Sequence, residues 1–126
     1  MTTVLRWSIV VIDFDPALGH EQQGVRRALV VSYEPFHRSG MVTVCPITTR
    51  PANYPGEVPI PAGHAGHTKD GLVLVHQVRT IDLRRVTAFE LRGKPQVVVD
   101  PRVRRAVRAA LAHHLGLDVP AALDGA

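Results

Sequence analysis

A chain of 126 residues is large enough for one hydrophobic core and leaves little room for a second domain. Hydrophobic residues make up 45% and charged residues 21%, which excludes wholesale disorder, while a net charge of +4 favours an anionic partner such as nucleic acid over an acidic protein surface. The single cysteine, Cys45, excludes an intrachain disulfide and a cysteine-cluster zinc site.

Val4 to Phe14 is almost continuously apolar, as expected of a strand buried on both faces, and Asp13, Asp15 and Pro16 close it. The stretch GHEQQGVRRALVV, Gly19 to Val31, follows as a polar, glycine-bracketed loop running into a basic pair and a second strand, Arg27 to Ser32. Tyr33 to Gly40 carries turn signals with room for one short helical turn. Met41 to Thr48 is a third strand with Val42 and Val44 on one face and Met41, Cys45 and Ile47 on the other, and Pro46 marks an edge or bulge.

Arg50 to Gly71 is proline-rich and predicts a loop interrupted by a short strand at Glu57 to Ile60. Leu72 to Ile81 predicts one strand, with Val73, Val75, Gln77, Arg79 and Ile81 sharing a face that turns from apolar to polar. Asp82 to Arg85 turns away, and a short strand is expected at Val97 to Val99. Asp100 and Pro101 then start a helix, the carboxylate capping orphan amides and proline fitting the first helical position. Val103, Ala106, Val107, Ala110 and Leu111 give that helix one apolar stripe, and Gly116 ends it. Arg102, Arg104, Arg105 and Arg108 lie off the stripe and read as a solvated face, with RNA contact as the alternative. These elements predict an α+β fold, a small curved antiparallel sheet or partial barrel with a C-terminal helix.

No stretch is apolar enough to cross a bilayer and MTTVLRW lacks the core of a signal peptide, so the expected compartment is the cytoplasm. The seven histidines make no paired spacing with Asp, Glu or Cys that would mark a metal site, so no metal or other cofactor is expected.

Three separated stretches stand out together: GHEQQGVRRALVVS after Asp13-Phe14-Asp15-Pro16, then VCPITTR from Val44 to Arg50, then QVRTID from Gln77 to Asp82. In this order they closely resemble the MazF/PemK family of toxin endoribonucleases, over roughly Trp7 to Arg85. The resemblance implies an SH3-like barrel of the CcdB/MazF kind across residues 4–99, a helix at 101–115 and a loose tail at 118–126, all one domain. It also implies a homodimer that cuts single-stranded RNA without a metal and is held by an acidic MazE-like antitoxin. The family's catalytic arginine and threonine fall by motif on Arg26 and Thr48. Glu21, Gln22, Gln77 and Arg79 fall on positions that shape the RNA site. His20 stands where a serine is usual and His76 where an acidic residue is usual, and both flank that site. Two further departures are Trp7-Ser8 for the usual Gly-Asp and Arg27 for the usual proline.

The chemistry fits these residues. Attack of a ribose 2′-hydroxyl on the adjacent phosphate needs alignment, neutralisation of a developing phosphorane charge and proton transfer. Arg26 supplies charge in a forked donor, and Thr48 supplies a hydroxyl. A guanidinium titrating above about 12 is a poor base, which favours charge stabilisation over base catalysis for Arg26 and leaves Glu21 as a candidate acceptor. Two rival classes share the barrel: a CcdB-like toxin that binds DNA gyrase without cutting RNA, and a degenerate antitoxin-binding module.

Overall fold

The structure, a computed structural model, describes residues 4–54, 56–62, 70–89 and 97–117. Seven strands form one antiparallel sheet: β1 (Ile9–Asp13), β2 (Val25–Val30), β3 (Met41–Thr48), β4 (Glu57–Ile60), β5 (Gly71–Leu74), β6 (Arg79–Asp82) and β7 (Val86–Phe89). A single α-helix among the described residues, α1 (Pro101–Leu115), follows, and the short helical turn expected in Tyr33 to Gly40 is a 3-10 helix over Glu34–Ser39. The sheet path is β4-β5-β3-β2-β1-β7, with β6 paired to β3 off that path.

The long, apolar central strands are explained by burial on both faces. Ile9, Leu29, Cys45 and Ile47 pack into one core with Val73, Val75 and the α1 residues Val103 and Val107. The alternate positions Val10, Ile12, Ala28, Val30, Val42 and Val44 pack into a second core with Phe14 and Ile81. Period-two alternation thus distributes each central strand between two cores, as the sequence predicts for β3. Burial pushes the Cys45 thiol up to about 12, so it remains a protonated, inert filler.

β3 organises the sheet because it has three partners. It pairs with β6 through Met41 to Val44, with β2 through Val44 to Pro46, and with β5 through Ile47 and Thr48. Pro46, which has no N–H to give, is fully inside the strand and marks the point where the ladder changes partner.

The single strand expected over Leu72 to Ile81 is two strands. After Leu74 a 3-10 turn, Val75–Gln77, carries the chain from one core to the other, so Val73 and Ile81 lie in different cores and the expected shared face does not exist. Alternation cannot reveal such a break, because the residues on either side are apolar in both settings. The first strand is also shorter than expected and the second begins two residues earlier, at Val25. Val86–Phe89 is a strand the sequence reading lacked, and Val97 makes only an isolated bridge to Ser8.

Trp7 explains the shortened start. It is almost fully buried at a left-handed φ of 70°, a conformation that suits glycine and strains other residues. The indole is held between Arg104 and Arg108 of α1, whose guanidinium carbons lie 5.5 and 5.3 Å from the ring centre. These two arginines are therefore packing residues and not a purely solvated face. Arg102, by contrast, pairs with Asp100 at the exposed helix start. The helix begins and ends where expected: the Asp100 side chain accepts the Arg102 N–H at 2.8 Å, and Gly116 takes φ 68°. The tail 118–126 lies outside the described residues.

Candidate functional site

The β1–β2 loop is closed at its neck by its own sequence. Asp13 Oδ1 accepts the Asp15 N–H at 3.0 Å, Asp15 Oδ1 accepts the Gly24 N–H at 3.1 Å, and the Phe14 N–H donates to the Gly24 carbonyl at 2.9 Å. Arg85 clamps the same neck by donating to the carbonyl oxygens of Asp13 and Asp15. Gly19 and Gly24 adopt φ of 59° and 75°, the left-handed angles that the bracketing glycines make available. Within the loop, Glu21 Oε1 accepts the Leu18 N–H at 3.0 Å.

All six residues expected at the RNA site outside the catalytic pair come together. His20, Glu21, Gln22, His76, Gln77 and Arg79 line one groove of about 770 Å³, with Pro46 and Val78 between them and Arg50, Asn53 and Tyr54 completing it. The segment His76 to Arg79 links its two sides. Gln77 Oε1 accepts the Gln22 N–H at 2.7 Å, and Arg79 approaches Glu21 at 3.9 Å while its guanidinium lies 5.8 Å from the Phe14 ring centre. The Arg79–Glu21 pair is long and half exposed and adds little, so the neutral hydrogen bond is the firmer tie.

The other side hangs on a residue the sequence reading missed. The Glu57 carboxylate is completely buried at the start of β4 and accepts from Arg50 through two N–H groups, from the Asn53 N–H at 2.6 Å and from the Tyr54 N–H at 3.0 Å, and pairs with His76 Nε2 at 3.2 Å. The Arg50 guanidinium above all, then the amide donors and His76, outweigh burial and hold the Glu57 carboxyl down at about 2. The available signal was a glutamate on a short strand beside the apolar Val58 and Ile60, with an arginine seven residues before it; a charge buried there must find a partner.

Arg26 and Thr48 do not line this groove. The β2–β3 ladder ends at Ala28 opposite Pro46, and Arg26 and Thr48 each lie two residues beyond that last pair, where Arg26 pairs with Ile12 of β1 and Thr48 with Leu72 of β5. Both positions belong to the sheet face of Ala28, Val44 and the second core, beyond the point where apolar residues end. Arg26 is exposed and its Nε donates to the Gln23 carbonyl at 3.0 Å; Thr48 is half-buried, with its hydroxyl 3.5 Å from the Arg50 N–H. Among the described residues no group of three or more His, Cys, Asp or Glu is placed to hold a metal ion, and His64 and His67 fall outside the described residues.

Comparison with known proteins identifies the family. The model of the PemK-like, MazF-like toxins of type II toxin-antitoxin systems matches residues 5–115. The endoribonuclease toxin ChpB of Escherichia coli K12 is 47% identical over 103 residues, covering 79% of this chain and 88% of that protein. A crystal structure of MazF (Form-I) from Deinococcus radiodurans is similar at a TM-score of 0.77 and 32% identity, covering 92% of this chain and 99% of that one. A crystal structure of MazE-MazF (Form-II) from the same organism is similar at a TM-score of 0.71 and 27% identity, covering 94% and 100%. With the family match, the relatives and the shared sheet-plus-helix architecture in agreement, the chain belongs to the PemK-like, MazF-like family of type II toxins.

Proposed function

We propose that the protein is the toxin of a type II toxin-antitoxin system and a sequence-specific endoribonuclease that cuts single-stranded RNA in the cytoplasm. The observation that carries this reading is the convergence of His20, Glu21, Gln22, His76, Gln77 and Arg79 on one groove. The relative named an endoribonuclease toxin supports the activity, and the similar MazE-MazF structure supports a MazE-like partner, which we take to be the acidic antitoxin. We read the curved sheet as an SH3-like partial barrel forming a single toxin domain. The family match favours a homodimer as the working form.

In this mechanism the groove aligns two nucleotides so that the 2′-hydroxyl faces the next phosphorus. The 2′-oxygen attacks, the bond to the 5′-oxygen breaks, and the products are a 2′,3′-cyclic phosphate and a 5′-hydroxyl. Arg26 neutralises the phosphorane as charge develops, and Thr48 holds a nonbridging oxygen. Glu21, the one carboxylate lining the groove among the described residues, takes the 2′-hydroxyl proton, and solvent returns one to the leaving oxygen. No step requires a metal.

The test is cleavage of a mixed single-stranded RNA in EDTA, followed by the mapped substrate with one 2′-deoxy sugar immediately 5′ of the cut. Expected is full activity on the first and none on the second. Normal cleavage of the deoxy substrate, or abolition by EDTA, overturns internal attack. No cleavage of any RNA overturns the nuclease and leaves the non-cutting rivals.

A further inference from the structure

The two sides of the groove differ in charge. Arg79 makes one side cationic, with a long contact to Glu21 and the Phe14 ring beneath its guanidinium. On the other side the Arg50 charge is matched by Glu57 in a forked ion pair, and Arg50 also donates to the Pro51 carbonyl at 2.9 Å. A guanidinium so engaged is a poor phosphate anchor. What this side offers the groove is aromatic surface: the Tyr54 ring, 61% exposed, meets the His76 ring edge-on at 5.4 Å and an angle of 75°.

Glu57 fixes both rings without bordering the groove itself. It binds the Tyr54 backbone N–H at 3.0 Å and His76 Nε2 at 3.2 Å, and through the Asn53 N–H and Arg50 it immobilises the loop that carries Tyr54. Because the partner of Nε2 is a carboxylate, the ring proton belongs on Nε2, which leaves Nδ1 to accept from a ligand. An exposed tyrosine face with an acceptor set at its side matches one chemistry well, the flat face and N–H edge of a nucleobase.

We propose that Tyr54 and His76 form a nucleobase-binding wall opposite in character to the phosphate-binding arginines, and that Glu57 is the positioning residue that builds it and so sets cut-site choice. This rests on the reading of the groove as an RNA site. It assigns Tyr54 to stacking, His76 to the base edge and Glu57 to neither contact, since its carboxylate is sealed from the groove.

Binding and cleavage are measured separately to test it. The binding probe is a mixed-sequence single-stranded DNA, which has bases to stack and no 2′-hydroxyl to react, followed by fluorescence anisotropy. Tyr54→Ala should weaken binding about tenfold or more, the loss expected for one stacked base, and should broaden the cut sites mapped by sequencing a mixed RNA digest. Tyr54→Phe, which keeps the ring, should remain within about twofold of wild type. Glu57→Gln should broaden the cut sites in the same way and shift the ¹⁵N signals of His76 away from the Nε2–H tautomer. Should Glu57→Gln fail to fold, the Tyr54 variants carry the test, because that side chain is exposed. A Tyr54→Ala protein that binds DNA and chooses cut sites like wild type overturns the wall and leaves the nuclease standing, as does a Tyr54→Phe protein no better than Tyr54→Ala. A wild type that cuts no RNA yet binds DNA through Tyr54 overturns the nuclease and leaves the wall.

Discussion

The Gln77 side-chain carbonyl accepts the Gln22 backbone N–H at 2.7 Å, across 55 residues of sequence. One amide group thereby latches the β1–β2 loop to the segment between β5 and β6. Gln77→Leu should remove a hydrogen bond worth about 1 kcal/mol and raise KM several-fold more than it lowers kcat. Hydrogen exchange over residues 18–24 should quicken in this variant. Gln77→Glu keeps an acceptor for Gln22, so it should retain the exchange protection while its added charge weakens RNA binding. Equal exchange in the wild type and Gln77→Leu would show that the latch does not hold the loop.

Arg26→Ala should lower the cleavage rate by about 10² to 10³, the scale of removing one preorganised donor from a developing anion. Arg26→Lys should recover little, because an ammonium cannot reproduce the two-pronged donor. Thr48→Ser should outperform Thr48→Val, since only serine keeps the hydroxyl. Single-turnover rates on one mapped RNA check all three, and equal rates for Ser and Val at position 48 would remove the hydroxyl from the mechanism.

Glu57 makes acid stability predictable in sign. Its carboxyl is lowered from an ordinary 4.5 to about 2 in the folded protein, so the folded state prefers it ionised. The stabilisation is complete above the unfolded value and is lost as pH falls through the folded one, a window between about 4.5 and 2. A shift of that size corresponds to about 3 kcal/mol. Urea midpoints of the wild type should fall through this window, whereas Glu57→Gln should start lower at neutral pH and fall less. Asp82 is also lowered to about 2, by Arg84, yet the pair is on the surface, so Asp82→Asn should barely alter the profile.

Trp7→Gly pits two effects against each other. Glycine relieves a left-handed residue of about 1–2 kcal/mol of strain, but deleting a buried aromatic costs about 3–5 kcal/mol. Burial should win, leaving the variant about 1–4 kcal/mol less stable by urea denaturation. A Trp7→Gly protein as stable as wild type would mean that the Arg104 and Arg108 contacts contribute nothing.

The sequence carried the groove better than the sheet. Short motifs identified six residues that fold into one cavity, because loops with special backbone needs and polar residues at strand ends leave local marks: Gly19, Gly24 and Asp15 are such marks. The helix was equally legible, with its aspartate cap and terminal glycine both used as read. The break at Val75–Gln77 was not legible, since an apolar run suits a strand, a turn between two cores, or both. Glu57 was hidden for a different reason. Its meaning depends on Arg50 and His76 arriving from separate parts of the chain, and no local pattern announces that meeting.

Because each side of the groove is fastened by its own latch, Gln77 for one loop and Glu57 for the other, the two can diverge at separate tempos. Neither latch draws on the two cores, so substitutions at His20 or Tyr54 need no repacking to accommodate them. With the groove read as the RNA site, each loop can be altered separately while Arg26 and Thr48, outside its lining, are left untouched.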